Sequence, residues 1–136
     1  MKLTVEDIRD LLGSPYKVHG RNKEEGFDCY GLVMEIYKRK GEKLPDFFYD
    51  DVKPDDTKEV YNYALPYVEK VDKPVDMCLC CFAIPNESKH IGIYIGEGKM
   101  IHAVKNIGVA VTDVKRYSHF FEGYYRFKEM KNVYCY

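Results

Sequence analysis

Cys29 stands in Phe27-Asp28-Cys29-Tyr30-Gly31-Leu32, where a polar loop passes into a helical pattern. Two histidines, His90 and His102, follow on what reads as a β-hairpin. A thiol at a helix start with imidazole on a later strand suits nucleophilic catalysis: sulfur attacks and imidazole carries the proton. A helix N-terminus and a nearby imidazolium lower a cysteine pKa from ~8.5 into the ~3.5–7.5 range. The spacing therefore predicts that Cys29, alone among the five cysteines, reacts quickly near neutral pH. The chemistry this implies is hydrolysis, or acyl transfer through the same thioester.

The same side chains have other uses. Cys29, His90 and His102 are ligand types that suit zinc, although no fourth ligand is indicated. A third use is structural, the fold being kept as a component of a larger assembly. Cys78, Cys80 and Cys81 do not form a metal motif, because strand alternation sends Cys78 and Cys80 to one face and Cys81 to the other. They read as small buried hydrophobes.

The hairpin decides where the histidines point. His90–Ile95 and Lys99–Val104 flank Gly96-Glu97-Gly98, read as a three-residue loop. With Ile95 opposite Lys99, His90 faces Val104 and His102 faces Gly92. The two histidines then share a face as diagonal neighbours, ~7–8 Å apart at the backbone. A one-residue change in the loop would separate them. Gly92 on that face leaves room above the sheet, and Ile91, Ile93 and Ile95 on the other face should meet the core. His19 and His119 lie in polar loops and read as surface residues.

The elements that must hold these groups follow from pattern and punctuation. Thr4-Val5-Glu6-Asp7 looks like a capping box with Asp in the usual Glu place, and Leu3 and Ile8 are spaced as a hydrophobic staple. That helix runs to Leu11-Leu12 and stops at Gly13, before Pro15. Asp28 reads as an N-cap, with Cys29, Leu32, Val33, Ile36 and Lys40 at helical spacing and Gly41 as the residue just past the end. Residues 42–56 read as a long connection docked by its aromatics, followed by a short helix around Thr57–Tyr63. Strands are expected over Met77–Ile84, the two hairpin arms, Ile107–Thr112 and Gly123–Phe127. Helices first and antiparallel strands after them make an α+β domain with a sheet of about five strands, occupying residues 1–136 as one unit.

Composition narrows the partners. Net charge is −1, with 21 basic and 22 acidic residues interspersed, so no basic stripe points to nucleic acid. No window approaches the ~18 apolar residues of a membrane span. The opening residues carry acids where a signal peptide would be hydrophobic, which predicts a cytoplasmic or virion-associated protein. The odd number of cysteines favours free thiols. The 13 tyrosines either line a groove or simply suit strands.

Taken together, these residues resemble the NlpC/p60-type cell-wall peptidases, which are papain-like cysteine hydrolases. Asp28-Cys29-Tyr30-Gly31-Leu32-Val33 is similar to the family's cysteine motif, His90-Ile91-Gly92-Ile93-Tyr94-Ile95-Gly96 to its histidine motif, and Met100-Ile101-His102-Ala103 to its third. Pro15-Tyr16 resembles the Pro-Tyr element upstream of the cysteine. The resemblance runs from about Pro15 to Phe127. It implies Cys29 as nucleophile, His90 as general base and His102 as the residue orienting His90. It also implies that Tyr16 lines the oxyanion or substrate site, with Tyr30 beside it. Peptidoglycan stem peptides are the implied substrate, cut between the D-glutamate γ-carboxyl and a diamino acid without a cofactor or metal. Lys89 and the tyrosines near the cleft are candidates to receive an anionic peptide. Two departures stand out. Tyr30 replaces the common serine, and with Leu44-Pro45-Asp46-Phe47 it resembles the branch found in phage tail proteins, which implies tail proteins as partners. The strand before His90 also lacks the usual Pro-Gly-Asp lead-in.

Overall fold

A computed structural model describes residues 2–46, 67–85 and 88–128. The expected helix at Thr57–Tyr63, the aromatics Phe47, Phe48 and Tyr49, and Cys135 lie outside the described residues.

The chain opens with a short helix α1 (Val5–Ile8), continued by a 3-10 turn over Arg9–Leu11. The capping box forms as expected: the Asp7 carboxylate accepts from the Thr4 N–H at 2.8 Å and from its hydroxyl at 2.9 Å. Gly13 follows at φ 84. A two-stranded ribbon, β1 (Arg21–Asn22) and β2 (Gly26–Phe27), leads directly into α2 (Cys29–Arg39). The apolar stripe of α2 buries Tyr30, Leu32, Val33, Ile36 and Tyr37, and Gly41 at φ 86 closes it. Arg39 ties the two helices together, reaching Asp10 by both terminal nitrogens and Glu35 at 2.9 Å.

The second half is one six-stranded antiparallel sheet in the order β3-β8-β4-β5-β6-β7. Its strands are β3 (Val68–Val71), β4 (Leu79–Ile84), β5 (Ser88–Gly96), β6 (Lys99–Val104), β7 (Gly108–Asp113) and β8 (Phe121–Phe127). Five of these were expected; β3 was not, because Val68-Glu-Lys-Val is too short and charged to declare itself. Gly13 and Ser14 bind the outer edge of β7, with Gly13 N–H donating to the Val109 carbonyl and Val109 N–H to the Ser14 carbonyl, both at 2.9 Å.

The sheet has apolar side chains on both faces. α2 covers one face and meets Ile91, Ile93 and Ile101 there. On the other face a 3-10 segment, Val114–Phe120, closes over a smaller cluster of Cys80, Phe82, Met100 and Val114. Cys80 and Cys81 fall into different clusters, as alternation requires.

The central hairpin differs in detail from expectation. Ile93 pairs with Ile101 and Tyr94 with Met100, the expected register, but Gly96 rather than Ile95 pairs with Lys99. The turn is the two residues Glu97 and Gly98, both at positive φ (52 and 74), which suits the twist of a tight hairpin. A bulge between Tyr94 and Gly96 absorbs the extra residue, so the shorter turn does not invert the faces.

Candidate active site

Asp28 sets the position of Cys29. Its carboxylate accepts from Gly31 N–H at 2.7 Å, from His19 N–H at 2.9 Å and from the Arg21 guanidinium at 3.0 Å, and the residue is 3% exposed. Arg21 then passes on to the Asp46 carboxylate at 3.0–3.1 Å. The loop before the helix is thus folded onto the cap. It passes so close that a Cβ on Gly31 would lie 2.0 Å from the Gly20 carbonyl oxygen, which explains glycine at this helical position. His19, expected on the surface, is half-buried in this loop at φ 62 because its backbone serves Asp28; His119 is exposed as expected.

Cys29 occupies the first turn of α2. Its thiol lies against the backbone N–H of Ile91, the residue immediately after His90. The β5–β6 ladder has stopped by that point, its last pair being Ile93 with Ile101, so this N–H is released from the sheet. Burial pushes the Cys29 thiol up to about 12, the Asp28 carboxylate adds to the rise, and the N–H groups of Ile91, Tyr30 and Cys29 oppose it. The expected lowering of this pKa is therefore reversed: desolvation outweighs the helix N-terminus.

On the histidine face, His90 Nε2 and His102 Nδ1 are 2.8 Å apart. The shared face follows from the register, and the splayed strand ends let the rings meet edge to face, with centroids 5.0 Å apart. His102 Nε2 lies 2.9 Å from the Thr112 hydroxyl, completing a chain of three side chains on β5, β6 and β7. His102 is fully buried and His90 half-buried, and Tyr117 from the 3-10 segment stands edge-on to His102 with centroids 5.6 Å apart. Burial lowers His90 to about 3, helped by His102, and lowers His102 to about 4. Both rings are neutral at ordinary pH.

Gly92 does not open a cleft above the sheet. The space is filled by Met100, whose sulfur would sit 2.6 Å from an added Cβ. The face expected to be open is a second small core, because Val114–Phe120 folds back over it. Tyr30, expected beside the substrate, is 4% exposed, and its hydroxyl donates to the Pro45 carbonyl at 2.5 Å. Its ring joins the main core and clasps the Leu44–Pro45 segment. Tyr16 is half-buried and pairs with Phe27 in an isolated parallel bridge, two residues before Cys29. Lys89 is in an ion pair with Glu122 at 2.6 Å.

Ligation of zinc by Cys29, His90 and His102 fits this arrangement poorly. The two rings turn facing nitrogens onto each other and the remaining nitrogen of His102 onto Thr112, so they do not converge on one point. Among the described residues, no group of three or more His, Cys, Asp or Glu side chains could hold a metal ion.

With that geometry in view, the comparisons with known proteins agree on one family. The NlpC/P60 family model matches residues 13–126. The chain belongs to the NlpC/P60 family. It is 29% identical over 123 residues to gamma-DL-glutamyl hydrolase of Bacillus subtilis, covering 87% of this chain and 27% of that one. It is 32% identical over 96 residues to tail tip assembly protein K of Escherichia phage lambda, covering 62% of this chain and 46% of that one. The crystal structure of an NlpC/P60 family protein from Bacillus cereus superposes with a TM-score of 0.65 at 25% identity, over 93% of this chain and 41% of the other. The chain thus spans less than half of each of these three relatives. The α+β fold is that of the family.

Thr112 and Arg21 are absent from the motif reading. Thr112 was recoverable. Asn106 takes a positive φ of 66 at the β6–β7 turn, and Val104 pairs with Gly108. That register puts Thr112 one two-residue step beyond Ala110, the partner of His102, on the same face. Arg21 carried no such signal, since its role depends on a loop closing over a helix start.

Proposed function

We propose that this protein is a cysteine peptidase that hydrolyses an amide bond in peptidoglycan stem peptides, with Cys29 as nucleophile, His90 as base and His102 orienting His90. The observation that carries the reading is the thiol at the start of α2, seated against the N–H that follows His90. Family membership supports it, as do relatives named as a glutamyl hydrolase and as a bifunctional muramidase/DL-endopeptidase.

In the resting protein the thiol is protonated and His90 neutral, given the raised and lowered pKa values. His90 accepts the thiol proton as sulfur attacks the scissile carbonyl, rather than holding a ready-made ion pair. The new C–S bond gives a tetrahedral oxyanion, received by the backbone N–H of Cys29 at the helix N-terminus; one such donor is worth ~3–4 kcal/mol. His90 returns the proton to the leaving amine, and a thioester remains. Water then attacks the thioester with His90 as base, releasing the acid and the thiol. The bond assigned is that between the D-glutamate γ-carboxyl and a diamino acid, and the substrate is the stem peptide.

Digestion of purified stem peptides with the wild type and with Cys29→Ala, read by mass spectrometry, tests this. Products from the wild type alone are expected, and EDTA should leave them unchanged. A wild type that is inert on every stem peptide, or activity lost to chelation and restored by zinc, would refute it. The phage tail relative favours a second reading in which the same domain works as part of a tail. Tyr30, and the Leu44-Pro45 segment it clasps, are the features shared with that branch in the sequence resemblance. Co-purification with tail proteins after induction of a phage carrying it would support that role, and a chain found only free would count against it.

A further inference from the structure

The Cys29 thiol stands where helix cover over the sheet ends. α2 runs along the sheet from Cys29, against the Ile91 N–H, to Tyr37, whose hydroxyl donates to the Met77 carbonyl just ahead of β4. In the other direction along β4 and β5 the helix is no longer overhead. Ala83 and Lys89 form the next cross-strand pair there, on the face that buries Cys81 and Ile91. Ala83 is nevertheless exposed and Lys89 half-buried. Glu122 is the extra residue of a bulge in β8, between Gly123 opposite Cys81 and Phe121 opposite Phe82. It meets Lys89 at 2.6 Å, with the two side chains 21% (Lys89) and 33% (Glu122) exposed. The thiol of Cys81 registers the whole corner: burial raises its pKa, Glu122 and Cys29 add to the rise, and Lys89 opposes it. An open strip of sheet thus leads away from the Cys29 thiol and ends in a matched pair of opposite charges.

We propose that Lys89 and Glu122 are specificity-determining residues that read a zwitterionic amino-acid head, its carboxylate on Lys89 and its ammonium on Glu122. The assignment rests on the peptidase reading above, in which the leaving group is the amine of a diamino acid. The head is then the far end of that diamino acid, and the substrate class is one with a second carboxylate beside the second amine. The pair is neutral as a whole, and that decides the ligand. A lone carboxylate would face Glu122, and a lone ammonium would face Lys89, each at a like-charge cost that offsets the attraction. A head carrying both charges lies against the pair without parting it, each charge beside its opposite. The reach agrees: the step of ~7 Å along β5 from Ile91 to Lys89 is the scale of the short alkyl chain joining the two ends of a diamino acid.

The test uses the full chain and two L-alanyl-γ-D-glutamyl tripeptides, ending in meso-diaminopimelate or in L-lysine, which differ only in the far carboxylate. Calorimetry on Cys29→Ala, which lacks the proposed nucleophile, should show the diaminopimelate peptide bound at least about tenfold tighter. Adding Lys89→Met and Glu122→Gln together removes both charges without stranding either, and should bring the two affinities level. With Cys29 intact, the preference should appear in KM, with kcat little changed. Equal binding of the two peptides by Cys29→Ala, tighter binding of the lysine peptide, or a preference that survives loss of both charges would overturn the assignment. Hydrolysis of both peptides with equal KM would overturn it too, while leaving the peptidase reading intact. A chain that cleaves neither peptide but shows the binding preference, lost with the two charges, would sink the peptidase reading and leave the subsite standing. Should the doubly neutralised variant fail to fold, Lys89→Met alone still has to cancel the preference.

Discussion

The two halves of the site are held by opposite means. Around Cys29 the fixing forces are ionic: a nearly buried carboxylate, Asp28, takes three donors, and its partner Arg21 reaches on to Asp46. Around His90 the fixing groups are neutral, two imidazoles and a hydroxyl in a line, enclosed by Phe82, Tyr117 and Met100. The difference matches what each half does in the proposed mechanism. The proposed nucleophile has to be held at one place on a helix start, and a charged cap does that well. The proposed base has to change protonation during turnover, and fixed charges around it would bias it one way. Dry, neutral surroundings would leave the proton free to move between sulfur and nitrogen as the proposed mechanism requires.

Several experiments would break or sharpen this contrast. The largest effect should come from His90→Ala, with turnover falling by at least ~10³-fold in a stem-peptide assay. His102→Gln should be milder than His102→Ala, because the amide oxygen can still accept from His90. Equal losses from Gln and Ala would show that the His90–His102 contact does not orient the base. On the ionic side, Asp28→Ala removes a cap and leaves the N–H groups of Gly31 and His19 without their acceptor, Arg21 keeping Asp46, so denaturant unfolding should register a loss of about 2–4 kcal/mol. A loss under ~0.5 kcal/mol, the scale of an exposed pair, would show that the ionic half is only a surface feature.

Acid should act on the neutral half. The folded-state values of His90 and His102, about 3 and about 4, lie below the ordinary 6.5. Between pH 6.5 and about 4 the unfolded chain binds protons that the folded chain refuses. Stability from this pair is therefore complete above pH 6.5 and declines as pH falls toward 4, by on the order of a few kcal/mol. His102→Gln should flatten that part of the stability–pH curve, as measured by thermal melts. An unchanged slope would mean that the rings are not desolvated. The smallest effect belongs to Tyr30→Phe, which loses one hydrogen bond to Pro45, about 1 kcal/mol, with turnover unaffected. A large fall in turnover would return Tyr30 to the substrate site.

Much of this was legible in the chain. The Asp28 cap, the α2 stripe, the shared face of the two histidines and the split of Cys80 from Cys81 are local consequences of period and capping, and each appears as read. What escaped depended on long-range closure. Val114–Phe120 looked like a loop, yet it covers the histidine face, so Gly92 makes room for Met100 and not for substrate. The helix-start argument predicted an acidic thiol at Cys29, because burial cannot be read from a motif. Tyr30 looked like a groove residue, since nothing local reveals that a carbonyl fifteen positions on awaits its hydroxyl.

The seam between Gly13–Ser14 and β7 bears on a different property, colloidal behaviour. An outermost strand normally offers a row of unused amides and carbonyls to any neighbouring copy. Here the Val109 amide and carbonyl are already engaged, and Gly108 sits so close to Ser14 that a Cβ on it would lie 2.5 Å from the Ser14 carbonyl oxygen. Near Val109 the segment after α1 therefore acts as a guard rail, denying strand-to-strand stacking along that margin. A lesion there, such as Ser14→Pro, should first show itself as turbidity in a concentrated sample, before any change in how His90 and His102 meet.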